Sequence, residues 1–183
     1  MKNLPLFIVA LFVLFTACGE DDSTEISLRY DGPNQTAPLL QGDTYEAAAR
    51  FPATITRDYI GQRLTQVSYY MTGIPLQTSL KIYSGGTEDM PGQVVYEASL
   101  TGSITQNSFN EHTLSTPLGI TGEDLWISIR FRQNRTLQTI GCDPGPTVTN
   151  GDWLFRESDG RWLPFSQRTP ESINWNIRGI VEL

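Results

Sequence analysis

The stretch Leu125 to Phe131 (LWISIRF) alternates strictly. Leu125, Ile127, Ile129 and Phe131 fall on one side, and Trp126, Ser128 and Arg130 on the other. A period of two is the signature of a strand with one buried face. The same pattern recurs in Leu64–Met71, with Val67, Tyr69 and Met71 on one face, and at the C-terminus. There Trp175, Ile177, Gly179, Val181 and Leu183 alternate with Asn174, Asn176, Arg178, Ile180 and Glu182. Leu80–Tyr83, Val94–Leu100 and Phe109–Leu114 add further strands, and Leu137–Ile140 and Trp153–Phe155 are shorter ones. Tyr45–Phe51 is alanine-rich and ends at Pro52, so its assignment is weak. Nothing in the domain shows a long 3.6-residue period. Turn residues punctuate the strands at short intervals, among them Gly85-Gly86 and Pro91-Gly92. Trp153 and Trp162 bracket RESDGR, which reads as a hairpin turn, and Gly141–Gly151 (GCDPGPTVTNG) reads as a long shaped loop. Asp31 to Leu40 is either a first edge strand with its turn or more linker. The expected fold is all-β, a two-sheet antiparallel β-sandwich whose sheets bury their apolar faces together.

The first residues have another logic. Lys2 precedes an almost wholly apolar run from Leu4 to Phe15, and the small residues Thr16 and Ala17 lead to Cys18. Such a run is short for a membrane span, which needs about 20 residues, and suits a cleaved signal segment. LFTAC resembles the lipobox of bacterial lipoproteins, which implies a lipid on Cys18 and cleavage before it. An ordinary signal peptide with an incidental cysteine is the competing account. The polar, acidic stretch Gly19–Ser27 resembles the export signal of Bacteroidota lipoproteins, implying an outer-membrane address facing the cell exterior. The expected organisation is a signal peptide over 1–17, a lipidated cysteine and polar tether over 18–30, and one β-domain over 31–183. Removing the signal leaves 183 − 17 = 166 residues, enough for one domain with a real core.

The formal net charge is −7, and no basic cluster appears. That argues against nucleic acid as a partner, because phosphate binding needs concentrated positive charge. Cys142 is the only cysteine besides Cys18. With Cys18 held as a thioether, no internal disulfide is available. Cys142 is then either a reactive thiol or, as free cysteines usually are, a small buried side chain.

From Ile60 onward the chain resembles the jelly-roll domains of Bacteroidota surface proteins, including the cleaved-adhesin and haemagglutinin modules of gingipain-type proteases. The pieces that carry the likeness are YIGQRLTQVSYYM, LKIYSGG, PGQVVYE, FNEHTLSTPLGITGEDLWISIRF, GCDPGP, GDWLF and NWNIRGIVE, in that order. The likeness spans roughly residues 45 to 183. It implies extracellular placement, adhesion to proteins or glycans and, in several members, bound calcium. It does not imply an enzyme. This chain departs from the adhesin proteins in having one domain and no protease.

Candidate sites follow from chemistry. Calcium gathers several oxygens at about 2.3–2.6 Å. Asp143, Asp152, Asp31 and Asp43 are the candidate ligands, although no calcium-loop motif is present. Their alternative role is to satisfy backbone N–H groups in turns, Asp143 and Asp152 above all. Trp126 lies on the face opposite Ile127, either outward or under a covering loop, and Trp162 flanks the hairpin. With Arg130 they are the candidate ligand contacts, since aromatic faces stack on sugars and guanidinium groups pair with carboxylates. Trp175 belongs with the core. His112 is the only histidine and nothing resembles GxSxG, so a hydrolase built on histidine has little to stand on. Paired carboxylates need no histidine, which leaves a glycoside hydrolase as the remote enzymatic alternative. The sequence therefore points to a non-catalytic, adhesin-like surface module for a glycan or protein. A structural or accessory subunit of an outer-membrane complex is the main rival.

Overall fold

A computed structural model describes residues 25–183, so the signal segment and Cys18 lie outside the described residues. The described residues form twelve strands. They are β1 (Glu25–Leu28), β2 (Leu39–Leu40), β3 (Asp43–Phe51), β4 (Arg63–Met71), β5 (Gln77–Gly86) and β6 (Pro91–Ser99), followed by β7 (Ser108–Gly119), β8 (Leu125–Gln133), β9 (Leu137–Gln138), β10 (Trp153–Arg156), β11 (Arg161–Pro164) and β12 (Ile177–Glu182). One helical turn, α1 (Ala53–Thr56), follows β3.

The strands make three separate antiparallel sheets, and this corrects the expectation of a simple two-sheet sandwich. One sheet has the order β1-β12-β4-β7, a second the order β11-β10-β3-β8-β5-β6, and β2 pairs with β9 alone. The third sheet exists because the ladder between β3 and β8 stops at Asp43 and Gln133. Beyond that pair the Gln133 side chain takes over the work of a ladder. Its Nε2 donates to the carbonyls of Leu40 and Gln41 at 2.7 and 2.9 Å, and its Oε1 accepts the Thr139 hydroxyl at 2.6 Å. With those carbonyls satisfied, the chain turns out of the large sheet into its own ribbon, where Leu39 pairs with Gln138.

The core lies between the two larger sheets. Leu125, Ile127, Ile129 and Phe131 of β8 enter it, with Tyr45, Ala47, Ala49 and Phe51 of β3. The smaller of the two sheets contributes Leu64, Val67, Tyr69, Met71, Ile177 and Val181. Leu64 and Val67 share a face despite their odd spacing because the register of β4 shifts between Leu64 and Gln66. At Gly179 the sheets approach so closely that a Cβ would stand 2.6 Å from Ile127 Cδ1 and 2.8 Å from Leu64 Cδ1. Trp175 is 1% exposed and donates its indole N–H to Trp153 O at 2.9 Å, as its apolar-face position predicts.

The expected hairpin is β10–β11, closed through Glu157–Gly160 with Gly160 at φ +63°. The first strand begins inside the range 18–30 read as tether, where Glu25 pairs with Glu182. That end of the smaller sheet also holds Arg63 and Gly119. The Gln62 and Ile120 backbones bond at 3.0 Å and Thr56 donates to Glu123 O, which ties this end to the Phe51–Leu125 end of the larger sheet. Asp43, Gln133 and Gln77 therefore lie at the opposite end from the point where the chain enters.

Candidate functional site

The larger sheet turns its second face away from the core, and its side chains line up in register rows. One row runs Trp162, Phe155, Glu46, Arg130, Ser79, Ser99 across all six strands. The adjoining row, toward the end where the chain enters, includes Trp153, Ala48, Ser128, Lys81 and Glu97. The row after that holds Arg50, Trp126 and Tyr83. On the other side Thr44, Arg132 and Gln77 close the face.

The aromatic side chains of this face gather on one side of it. Trp126 is fully buried, and its ring lies 5.2 Å from that of Trp153 and 5.7 Å from that of Trp162. Ala48 sits beneath, also fully buried, and its lack of bulk is what lets these rings cross β3. Arg50 covers the Trp126 ring from one side, its guanidinium carbon 5.8 Å from the centroid. Trp126 is therefore on the outward face and under cover, and a ligand does not reach it. Trp162 and Phe155 stay half-buried with rings 5.6 Å apart, which leaves aromatic surface open.

At the border of this cluster sits a buried carboxylate. Glu46 is 2% exposed, and its Oε1 accepts hydroxyl hydrogen bonds from Tyr83 and Ser128, both at 2.6 Å. Burial, together with the Glu46 charge, pushes the Tyr83 phenol far above its ordinary value, so it stays a donor at any physiological pH. Arg130 Nη1 stands 3.6 Å from Glu46 Oε2, and Arg130 Nη2 stands 3.2 Å from Glu157 Oε1. Arg132 Nε donates to Gln77 Oε1 at 3.0 Å. Arg130, Glu157, Arg132 and Gln77, with Ser79, Ser99 and Thr101, line an open cavity of about 400 Å³.

Of the residues expected from sequence to contact a ligand, Trp162 and Arg130 thus share a row, and Trp126 packs against Trp162 alone of the two. The aspartates are not brought together into one set. Asp31 is 5% exposed and pairs with Arg178 Nη2 at 2.7 Å, and it also accepts from Asn176 Nδ2. Asp143 accepts the backbone N–H groups of Gly32, Gly145 and Asn174 at 2.8 to 2.9 Å. Asp152 accepts both the N–H and hydroxyl of Ser166, and Asp43 accepts the Thr44 N–H at 2.7 Å. Among the described residues no three of His, Cys, Asp and Glu gather where they would hold a metal ion.

Cys142 is fully buried, and burial, with Asp143 and Glu171 nearby, pushes its thiol up to about 12. At neutral pH it is no nucleophile. Its backbone does the work instead, pairing with both Thr36 and Trp175. His112 Nε2 meets the Tyr96 hydroxyl at 2.8 Å, joining β7 to β6. No helix among the described residues is long and apolar enough to cross a membrane.

Sequence reasoning missed Ser79, Ser99 and Gln77, and it read Glu46 only as a possible calcium ligand beside Asp31 and Asp43. Glu46 alone left a signal. It stands between Tyr45 and Ala47 in EAAAR, so a strand there puts it on the face away from the core. The others require the pairing register, which the chain's local pattern does not contain.

No protein-family model matches the chain, and no curated protein matches it. Among solved structures it is similar to a clostridial cysteine protease, Cwp84, in its form after propeptide cleavage. The TM-score is 0.61 at 7% identity, over 86% of this chain and 40% of that one. It is also similar to the cysteine protease and lectin-like domains of Cwp84, a surface layer associated protein of Clostridium difficile. There the TM-score is 0.53 at 9% identity, over 81% of this chain and 36% of that one. The chain thus spans well under half the length of those proteins, and at such identity the likeness is one of fold. Neither structure is a gingipain-type module or comes from the Bacteroidota.

Proposed function

We propose that this chain is a non-catalytic surface module, anchored to the outer membrane through lipid on Cys18 and facing the exterior. It binds a glycan on the outward face of the larger sheet. The observation that carries this reading is the row Trp162, Phe155, Arg130, Ser79, Ser99, with open aromatic surface at one end and a polar cavity at the other. Sugars present just these two surfaces, an apolar ring face and a rim of hydroxyls. The cavity of about 400 Å³ is of a size that holds a small ligand. One of the similar structures includes a lectin-like domain, which supports the same reading by analogy of fold alone.

The test is a glycan array probed with the chain in calcium and again in EDTA. Selective binding that Trp162→Ala abolishes is the expected result. A clean negative from folded protein in both conditions overturns it.

One observation favours the rival role of accessory subunit in an envelope complex. Leu39, Ile74 and Leu76 are 68%, 58% and 48% exposed on segments around the Gln77–Gln133 end. Crosslinking on intact cells separates the roles, because a subunit yields one stoichiometric protein partner.

A further inference from the structure

The cavity at this end of the sheet is unevenly charged. Arg130 is balanced, held between Glu46 on one side and Glu157 on the other. Arg132, two residues along β8 on the same face, is exposed and forms no ion pair among the described residues. Its one side-chain hydrogen bond, Nε to Gln77 Oε1 at 3.0 Å, orients the guanidinium and leaves both terminal nitrogens without an acceptor. A planar fork fixed at one edge and open at the other matches a carboxylate. Around it stand Thr44, Ser79, Ser99 and Thr101, hydroxyl groups suited to the rim of a sugar ring. Glu157 is the one acidic residue lining the cavity, and Arg130 engages it.

The rest of the molecule excludes a looser kind of attraction. The chain carries a net charge of −7, so a polyanion is repelled at long range and gains only from a local contact. We propose that the preferred ligand is a carboxylate-bearing sugar, a uronic or sialic acid type, whose carboxylate is taken by the open edge of Arg132 while its hydroxyls face the serine and threonine rim. This rests on the glycan reading above and adds to it the chemical class of sugar.

The experiment is calorimetric titration of the full-length chain in detergent with four probes. These are a galacturonic acid oligomer, the same oligomer methyl-esterified, and sialyllactose beside neutral lactose. The acidic probes are expected to bind, and esterification or loss of the sialic acid is expected to weaken binding roughly tenfold to a hundredfold, the range of a hydrogen bond to a charged group. Arg132→Gln is expected to erase the difference between the acid and its ester without moving the melting temperature. The ester comparison uses unaltered protein, so it decides the matter even if the variant folds poorly. Equal binding of acid and ester, or of lactose and sialyllactose, overturns the acidic preference and leaves the glycan reading standing. No binding to any of these probes, together with a blank array, removes both.

Discussion

The Tyr83 hydroxyl meets the Glu46 carboxylate at 2.6 Å on the sheet face that looks away from the core. A carboxylate that is 2% exposed needs donors to offset its desolvation, and Tyr83, Ser128 and Arg130 supply them. Removing one donor leaves the others in place, so Tyr83→Phe is expected to destabilise by about 1–3 kcal/mol. Glu46→Ala leaves the Tyr83 hydroxyl without its acceptor and loosens Arg130, while Ser128 keeps the Lys81 carbonyl, and is expected to lose about 1–3 kcal/mol. Urea unfolding measures both, and a Tyr83→Phe midpoint equal to wild type would contradict the role given to that bond.

The tryptophans divide between stability and binding. Trp126→Ala removes a fully buried ring and is expected to cost about 3–5 kcal/mol, with little direct effect on ligand affinity once the protein is folded. Trp162→Ala is expected to cost less stability, about 1–2 kcal/mol for a half-buried ring, and to remove glycan binding. Parallel thermal melts and binding isotherms test the pair. Loss of binding in folded Trp126→Ala with full binding in Trp162→Ala would invert the assignment.

Asp159 gives the acid limb of stability. The Arg168 guanidinium, with the Arg161 N–H and Arg156, holds its carboxyl well below the ordinary aspartate value of 3.8. A carboxyl depressed in the folded state stabilises fully above its unfolded value and loses that contribution as pH falls through the lower folded one. The stability gap between wild type and Asp159→Asn is therefore expected to be constant at neutral pH and to shrink below about pH 4. Urea midpoints measured from pH 2 to 7 check this. A gap that widens on acidification would refute it.

EDTA is expected to leave the melting temperature unchanged. The carboxylates that sequence nominates for calcium already accept N–H and guanidinium donors, Asp31 from Arg178 and Asp143 from Gly32, Gly145 and Asn174. Removing a structural ion would lower the melt, so a drop restored by added calcium would show that one binds elsewhere.

Alternation made β4, β8 and β12 legible, and with them the all-β class and most of the core. It failed where packing rather than pattern chooses the residue. The alanines of β3 look like a weak strand because bulk there is supplied by neighbours. Trp126 and Trp153 fill the space over Ala48, and a larger side chain would displace them. The third sheet was invisible because it depends on the Gln133 amide replacing ladder bonds, and glutamine carries no such signal by itself. The chemistry of the four aspartates was half legible. Asp143 and Asp152 do satisfy backbone N–H groups, while the Asp31–Arg178 pair joins residues too far apart in sequence for any local pattern to link.

The chain enters its sheets at Glu25, while Arg132 lies at the far end of the larger sheet. Along β8 alone, Leu125 to Arg132 spans roughly 23 Å at about 3.3 Å per residue. If, as proposed, lipid on Cys18 anchors the chain, the socket would lie at the end of the larger sheet away from the side on which Glu25 enters. Molecules rooted in the same bilayer would then meet the domain's flank and its foot, and the socket would sample what arrives from the medium or from an opposing cell. A crowded field of such anchored copies would present parallel sockets to a polymer, and weak single contacts would add up to firm attachment through multivalency.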